Sequence, residues 1–207
     1  YMRTTLVPAV IEAAKRNIAQ QNKDLWLFET ANVYEPKALP LTEVPHERPM
    51  ACGIMMGKVT EAAWNQAQRD TDFYDVKGVV DGLLAKLGLT QYDIQPSSES
   101  YYHPGVSAHY TVNGVTIANY GELHPQVVKN FDLSGKVYMF EIDLEAVLSI
   151  IVPPFRYQSF SKFPGTSRDL AIVAPVSVTS GDIVALIKEH GGEYLESVSI
   201  FDVYEGE

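Results

Sequence analysis

The feature that most narrows the fold is the dipeptide Asn113-Gly114, set between two strand-forming runs, Ser107–Val112 and Val115–Gly121. Both residue types tolerate the positive φ angles that a two-residue hairpin demands. The pair therefore predicts two antiparallel strands, and a chain organised around an antiparallel sheet. Other runs extend it. Leu25–Tyr34 reads as a strand ended by Glu35-Pro36, Met50–Val59 as an apolar strand, and Val137–Ile142 as another. Between the first two lies a loop spotted with Pro36, Pro40, Pro45 and Pro49.

Helices flank these runs. Pro8 suits a first helical turn, and Val7, Val10, Ile11, Ala14 and Ile18 give a helix over residues 8–20 one apolar face. Asp72 is a good N-cap for a helix whose Val76, Val79, Val80, Leu83, Leu84 and Leu87 recur at three- and four-residue spacing, and Gly88 can end it. Pro125 opens a short helix carrying Val127, Val128 and Phe131, and Asp143 caps one carrying Leu144, Val147, Leu148 and Ile151. Residues 1–152 thus predict an α+β domain, a mostly antiparallel sheet with flanking helices.

The pattern changes after the linker-like Pro153-Pro154. Ser167–Ala174 reads as a strand. Thr179 or Ser180 caps a helix bearing Ile183, Val184, Leu186 and Ile187, Gly191-Gly192 ends it, and Tyr194–Tyr204 reads as a further strand. Residues 155–207 are therefore expected to be a β-α-β unit, half of a ferredoxin-like domain whose second half would lie beyond Glu207. The chain opens at Tyr1-Met2-Arg3 and stops just after a strand-like run, which reads as an excised piece of a longer protein.

Chemistry-bearing patterns are sparse. Cys52 is the one cysteine and sits in the apolar run Met50–Met56, which predicts a buried core thiol and excludes a disulfide or cysteine-rich zinc site. His103, His109 and His124 lie close in sequence, but none forms a helical metal-binding pair, and two precede prolines at expected turns. Carboxylate pairs such as Asp70 with Asp72 and Glu141 with Asp143 read as solvated faces. No glycine-rich phosphate loop follows a strand, and no Gly-x-Ser-x-Gly elbow occurs. Sixteen basic against 26 acidic residues give a net charge of −10, which argues against autonomous nucleic-acid binding. No apolar stretch is long enough to cross a bilayer, and no signal peptide precedes the first helix, so a soluble protein of a reducing compartment is expected.

Several runs, in order along the chain, resemble the C-terminal third of bacterial phenylalanine–tRNA synthetase β subunits. They are Met2–Pro8, Leu27–Tyr34, Asp72–Gly78, Tyr102–Gly105, Tyr120–Pro125, Phe140–Leu144, Ser161–Pro164, Arg168–Ala171 and Phe201–Gly206. The resemblance implies that residues 1–152 are a degenerate, non-catalytic copy of the class II synthetase fold. It implies that residues 155–207 begin the ferredoxin-like anticodon-binding domain. The family's enzyme is a cytoplasmic α2β2 heterotetramer that joins phenylalanine to tRNA-Phe using ATP and Mg2+, with its catalytic sites on the α subunit. Active class II domains hold phosphates with an arginine after the strand resembling Leu25–Tyr34 and another in a late Gly-x-x-x-Arg pattern. Here those places carry Glu35-Pro36 and the acidic run Phe140–Glu145. No catalytic residue, metal site or cofactor is therefore expected in this chain, and ATP and Mg2+ belong to the parent complex.

What remains is scaffolding of the α subunit and contact with tRNA-Phe. The helix over residues 8–20 is either partner-facing or buried on its own sheet. Lys162, Arg168 and Lys188 are candidates to meet tRNA phosphates, with Phe163 and Tyr204 as candidates to stack on bases. Against them, residues 155–207 hold four basic and eight acidic side chains, a net −4, and Arg168-Asp169 can also pair with each other. Two other readings stand beside this one: an active class II ligase domain, which the missing arginines oppose, and a free-standing tRNA-binding module, which the net charge opposes.

Overall fold

In the computed structural model, which describes residues 2–60, 63–150, 157, 159 and 162–204, the Asn113-Gly114 turn joins β4 (Tyr102–Val112) to β5 (Val115–Leu123). Asn113 and Gly114 both adopt left-handed φ, +52° and +80°, as the hairpin requires. Around this pair the sheet grows to six strands: β1 (Leu25–Glu35), β2 (His46–Met56), β3 (Asp93–Pro96) and β6 (Val137–Asp143) complete it. The spatial order is β1-β2-β6-β5-β4-β3, and every neighbouring pair is antiparallel. The expected α+β sheet is the one found.

Three boundaries differ from the sequence reading for physical reasons. β2 begins at His46 rather than Met50, with Pro49 inside it opposite Asn32. The β6 ladder on the other side of β2 starts only at Met50, so the donor that proline lacks is not needed there. β3 was not expected, because its four residues are all exposed and show no apolar alternation. His103-Pro104, read as a turn, lies inside β4, where the ladder to β5 shifts register between Tyr102 and Ser107.

Helices cover the two faces unequally. α1 (Val7–Ala19) buries Val7, Val10, Ile11 and Ala14 against Met50, Cys52, Ile54, Met56 and Met139. Its apolar stripe is thus core, while Lys15 on its outer side pairs with Asp132 at 2.9 Å. α2 (Phe73–Lys86) and α4 (Leu144–Ser149) pack on the opposite face, over Tyr110, Ile117, Ala118, Tyr120, Phe140 and Ile142. α2 starts at Asp72, whose carboxylate accepts from the Tyr74 and Asp75 amides while Asp75 bonds back to the Asp72 amide. It ends in a Schellman turn: Gly88, at φ +84°, donates to the Ala85 carbonyl and Leu89 to that of Leu84. His124 caps the short α3 (Pro125–Asn130), its Nδ1 accepting from the Gln126 amide at 3.1 Å.

The chain divides into two compact units, Tyr1–Pro154 and Phe155–Glu207. The Pro153-Pro154 linker expected from sequence lies outside the described residues. In the second unit α5 (Ser180–His190) forms as expected, with a capping box between Thr179 and Asp182. The runs Ser167–Ala174 and Tyr194–Tyr204, expected as strands, carry no ladder. The physical reason is topological. In a split β-α-β the two strands are parallel and a third strand belongs between them, so they do not bond to each other. No such strand is present among the described residues.

Candidate functional site

The described residues of the first unit line a cavity of about 290 Å3 on the α1 side of the sheet. Alternation along β6 places it. Val137 and Met139 lie in the core beneath α1, and the same face continues to Glu141 and Asp143, which line the cavity. β2 contributes Arg48 and Met50, β4 His109, β5 Ile117 and Asn119, and the chain before β4 brings Glu99 and Tyr101.

Glu141 corrects the sequence reading. It is only 7% exposed, not on a solvated face. Its carboxylate accepts from the Thr5 hydroxyl at 2.6 Å and from the Tyr101 hydroxyl at 2.7 Å. Burial, then the Glu141 charge, pushes the Tyr101 hydroxyl well above the ordinary phenol range, so it stays a donor. The signal for Glu141 was available: a carboxylate in phase with Val137 and Met139 on a central strand occupies a core position.

Arg48 is the residue that sequence reasoning missed. It lies in the cavity wall, and its guanidinium meets Glu35 at 2.6 Å and Asp143 at 3.3 Å. Its Nε is buried and has no hydrogen-bond partner among the described residues. Glu35, expected to repel phosphate after the first strand, is therefore also the group that occupies this cation. The lining thus combines Glu99, Glu141 and Asp143 with one arginine already shared by two carboxylates. Such a donor set does not fit a bare polyphosphate, because it offers no uncommitted cation. Cys52 lies in the core under α1, its thiol pushed up by burial and by Glu141, and is inert. Among the described residues no group of His, Cys, Asp or Glu side chains is arranged to hold a metal.

The five candidate contacts of the second unit all lie at its surface. Lys162 and Arg168 are exposed, Lys188 is exposed in the last turn of α5, and Phe163 and Tyr204 are 84% and 89% exposed. Arg168 donates to the Ser167 carbonyl at 3.2 Å instead of pairing with Asp169. Among the described residues no ion pair engages Lys162, Arg168 or Lys188.

Residues 1–144 match the family described as Phenylalanyl tRNA synthetase beta chain CLM domain, and residues 161–207 match the Ferredoxin-fold anticodon binding domain. The chain belongs to the phenylalanyl-tRNA synthetase β-chain family. It is similar along its whole length to the phenylalanine–tRNA ligase beta subunits of Symbiobacterium thermophilum and Bacillus subtilis, each at 36% identity. It spans 23% and 25% of those relatives, about a quarter of their length. Among solved structures it resembles a pyrrolysyl tRNA synthetase from Desulfitobacterium hafniense with a TM-score of 0.54, over 70% of this chain and 48% of that one. At 12% identity that likeness is one of fold alone. No described helix is long and apolar enough to cross a membrane.

Proposed function

We propose that this chain is a non-catalytic structural and tRNA-contacting part of a phenylalanine–tRNA ligase β subunit, acting in the cytoplasm within an α2β2 enzyme. Residues 1–152 act as the class II-like scaffold that supports the α subunit, and residues 155–207 as the first half of the anticodon-binding domain. ATP and Mg2+ act in the holoenzyme and have no site in this chain. The observation that carries the scaffold reading is the cavity, where Arg48 is already committed to Glu35 and Asp143 and the other charges are carboxylates. A sheet that keeps its fold but commits its one cation internally has a packing role.

In the second unit Lys162, Arg168 and Lys188 meet phosphates of tRNA-Phe, while Phe163 and Tyr204 stack on its bases. Their exposure supports this role. The unit's net −4 makes the contact weak and dependent on the rest of the enzyme. Binding of the chain to the α subunit and to tRNA-Phe, measured side by side at moderate salt, tests the reading. Firm α binding with weak tRNA binding is expected. Tight tRNA binding without α would move RNA recognition into these 207 residues and sink the scaffold assignment.

A further inference from the structure

The cavity on the α1 side of the sheet holds a feature that the scaffold role leaves unused, a buried carboxylate with no counter-ion. Ladder partners share one face of a sheet. The pairings Asn119↔Glu141 and His109↔Asn119 therefore lay a polar row across β6, β5 and β4, and all three residues line the cavity. Met50 and Ile117 give that row an apolar border.

Within the row Glu141 is buried, and its partners are two neutral hydroxyls, those of Thr5 and Tyr101. The Thr5 hydroxyl accepts from the Val7 amide at 3.1 Å, so its own proton is directed to Glu141. Both bonds suit an ionised carboxylate, an acceptor with roughly four lone-pair sites, of which these donors fill two. Among the described residues no lysine, arginine or histidine forms an ion pair with Glu141. Arg48, the cation of the cavity wall, is held by Glu35 and Asp143. A charge buried in this way is costly until a cation meets it, so a cation that enters is favoured.

The same wall supplies further acceptors. The Glu99 carboxylate has no partner among the described residues. The Asn119 side-chain carbonyl accepts from the Ser97 hydroxyl at 3.1 Å and keeps a second lone pair. We infer that this cavity binds a small primary ammonium carried on a short apolar body, with Glu141 as its counter-ion. The three N–H donors of the ammonium meet Glu141, Glu99 and the Asn119 carbonyl, while Met50 and Ile117 take the apolar body. About 290 Å3 is at the small end of ligand sites and suits an amine of a few carbons. A carboxylate or phosphate on the same molecule would face Glu99 and Asp143 and is rejected. The site adds to the scaffold role and does not rest on it.

Titration of butylamine into the whole chain at neutral pH, followed by amide NMR shifts, tests this. Saturable shifts at Thr5, Asn119 and Glu141 are expected, with a dissociation constant on the order of 1 mM. Butanol lacks the charge and tetramethylammonium lacks N–H donors, so each should bind more than about tenfold more weakly. Glu141→Gln keeps the shape and removes the charge, and should weaken butylamine more than about tenfold. Should it unfold the chain, Glu99→Gln decides instead, since Glu99 is exposed and its loss leaves the core intact; about threefold weaker binding is expected there. Glu196→Gln, the same charge change at an exposed site of the second unit, should leave the affinity unchanged. No saturable shift up to about 20 mM butylamine would overturn the inference. So would equal binding of butanol or tetramethylammonium, or a fall as large with Glu196→Gln. Undiminished affinity in a folded Glu141→Gln chain, or in Glu99→Gln where Glu141→Gln does not fold, would overturn it too.

Discussion

The first unit and the second use the same local devices and reach different ends. Both contain a helix opened by a capping box, Asp72 with Asp75 in one and Thr179 with Asp182 in the other. In the first unit that helix lands Val76, Val80 and Leu84 in a core with the sheet. In the second, α5 leaves Ile183, Val184 and Ile187 only half-buried, and Leu170, Val173, Tyr194 and Phe201 stand exposed. Caps and turns can therefore start a helix from local sequence alone, but burial needs a sheet, and a sheet needs strands that are neighbours. The first unit supplies six. An 11-residue helix that fully buries no residue is marginal in water on its own.

This comparison can be broken most sharply in the core. Ile54→Ala, at a fully buried site on β2, should cost about 2–5 kcal/mol and lower the main urea transition, with α5 unaffected. A shift of α5 signals together with that transition would mean the two units unfold as one. Next in size is Glu141→Ala. It strips the Thr5 and Tyr101 hydroxyls of their common acceptor and should cost about 2–3 kcal/mol in the same assay. A loss below half a kcal/mol would show that Glu141 is solvated after all.

The caps sharpen the contrast further. Asp72→Ala should cost about 1 kcal/mol yet leave α2 formed, because packing holds it. Thr179→Ala, with a similar local loss, should abolish most of the helical signal of α5, read residue by residue from NMR shifts. Equal retention of both helices would contradict the difference drawn between them. Smallest is the acid response. The hydrogen bond from Arg69 holds the Asp75 carboxyl below the ordinary carboxylate range. A depressed folded-state pKa gives stability that is full above the unfolded value near 4 and is lost as pH falls through the folded one. Asp75→Asn should therefore be less stable than wild type at pH 7 and approach it near pH 2. A constant gap across that range would deny the linkage.

What could be read in the sequence was mostly local. The Asn113-Gly114 hairpin, the Asp72, Asp143 and Thr179 caps and the Gly88 stop each depend on residues within one turn, and each formed. β3 and the early start of β4 depend on partners far along the chain and leave no local trace. The family resemblance drew attention to Glu35, which the structure places against Arg48. Arg48 and the burial of Glu141 were hidden for the opposite reason: charged residues read as surface until the β6 alternation is followed through to the cavity.

The central claim is that the class II-like sheet has kept its fold and lost its nucleotide site. Calorimetric titration of MgATP into the chain tests it most directly. The account predicts no saturable binding up to about 1 mM, since Arg48 is held by Glu35 and Asp143. Saturable binding below that concentration, abolished by Arg48→Ala, would contradict it.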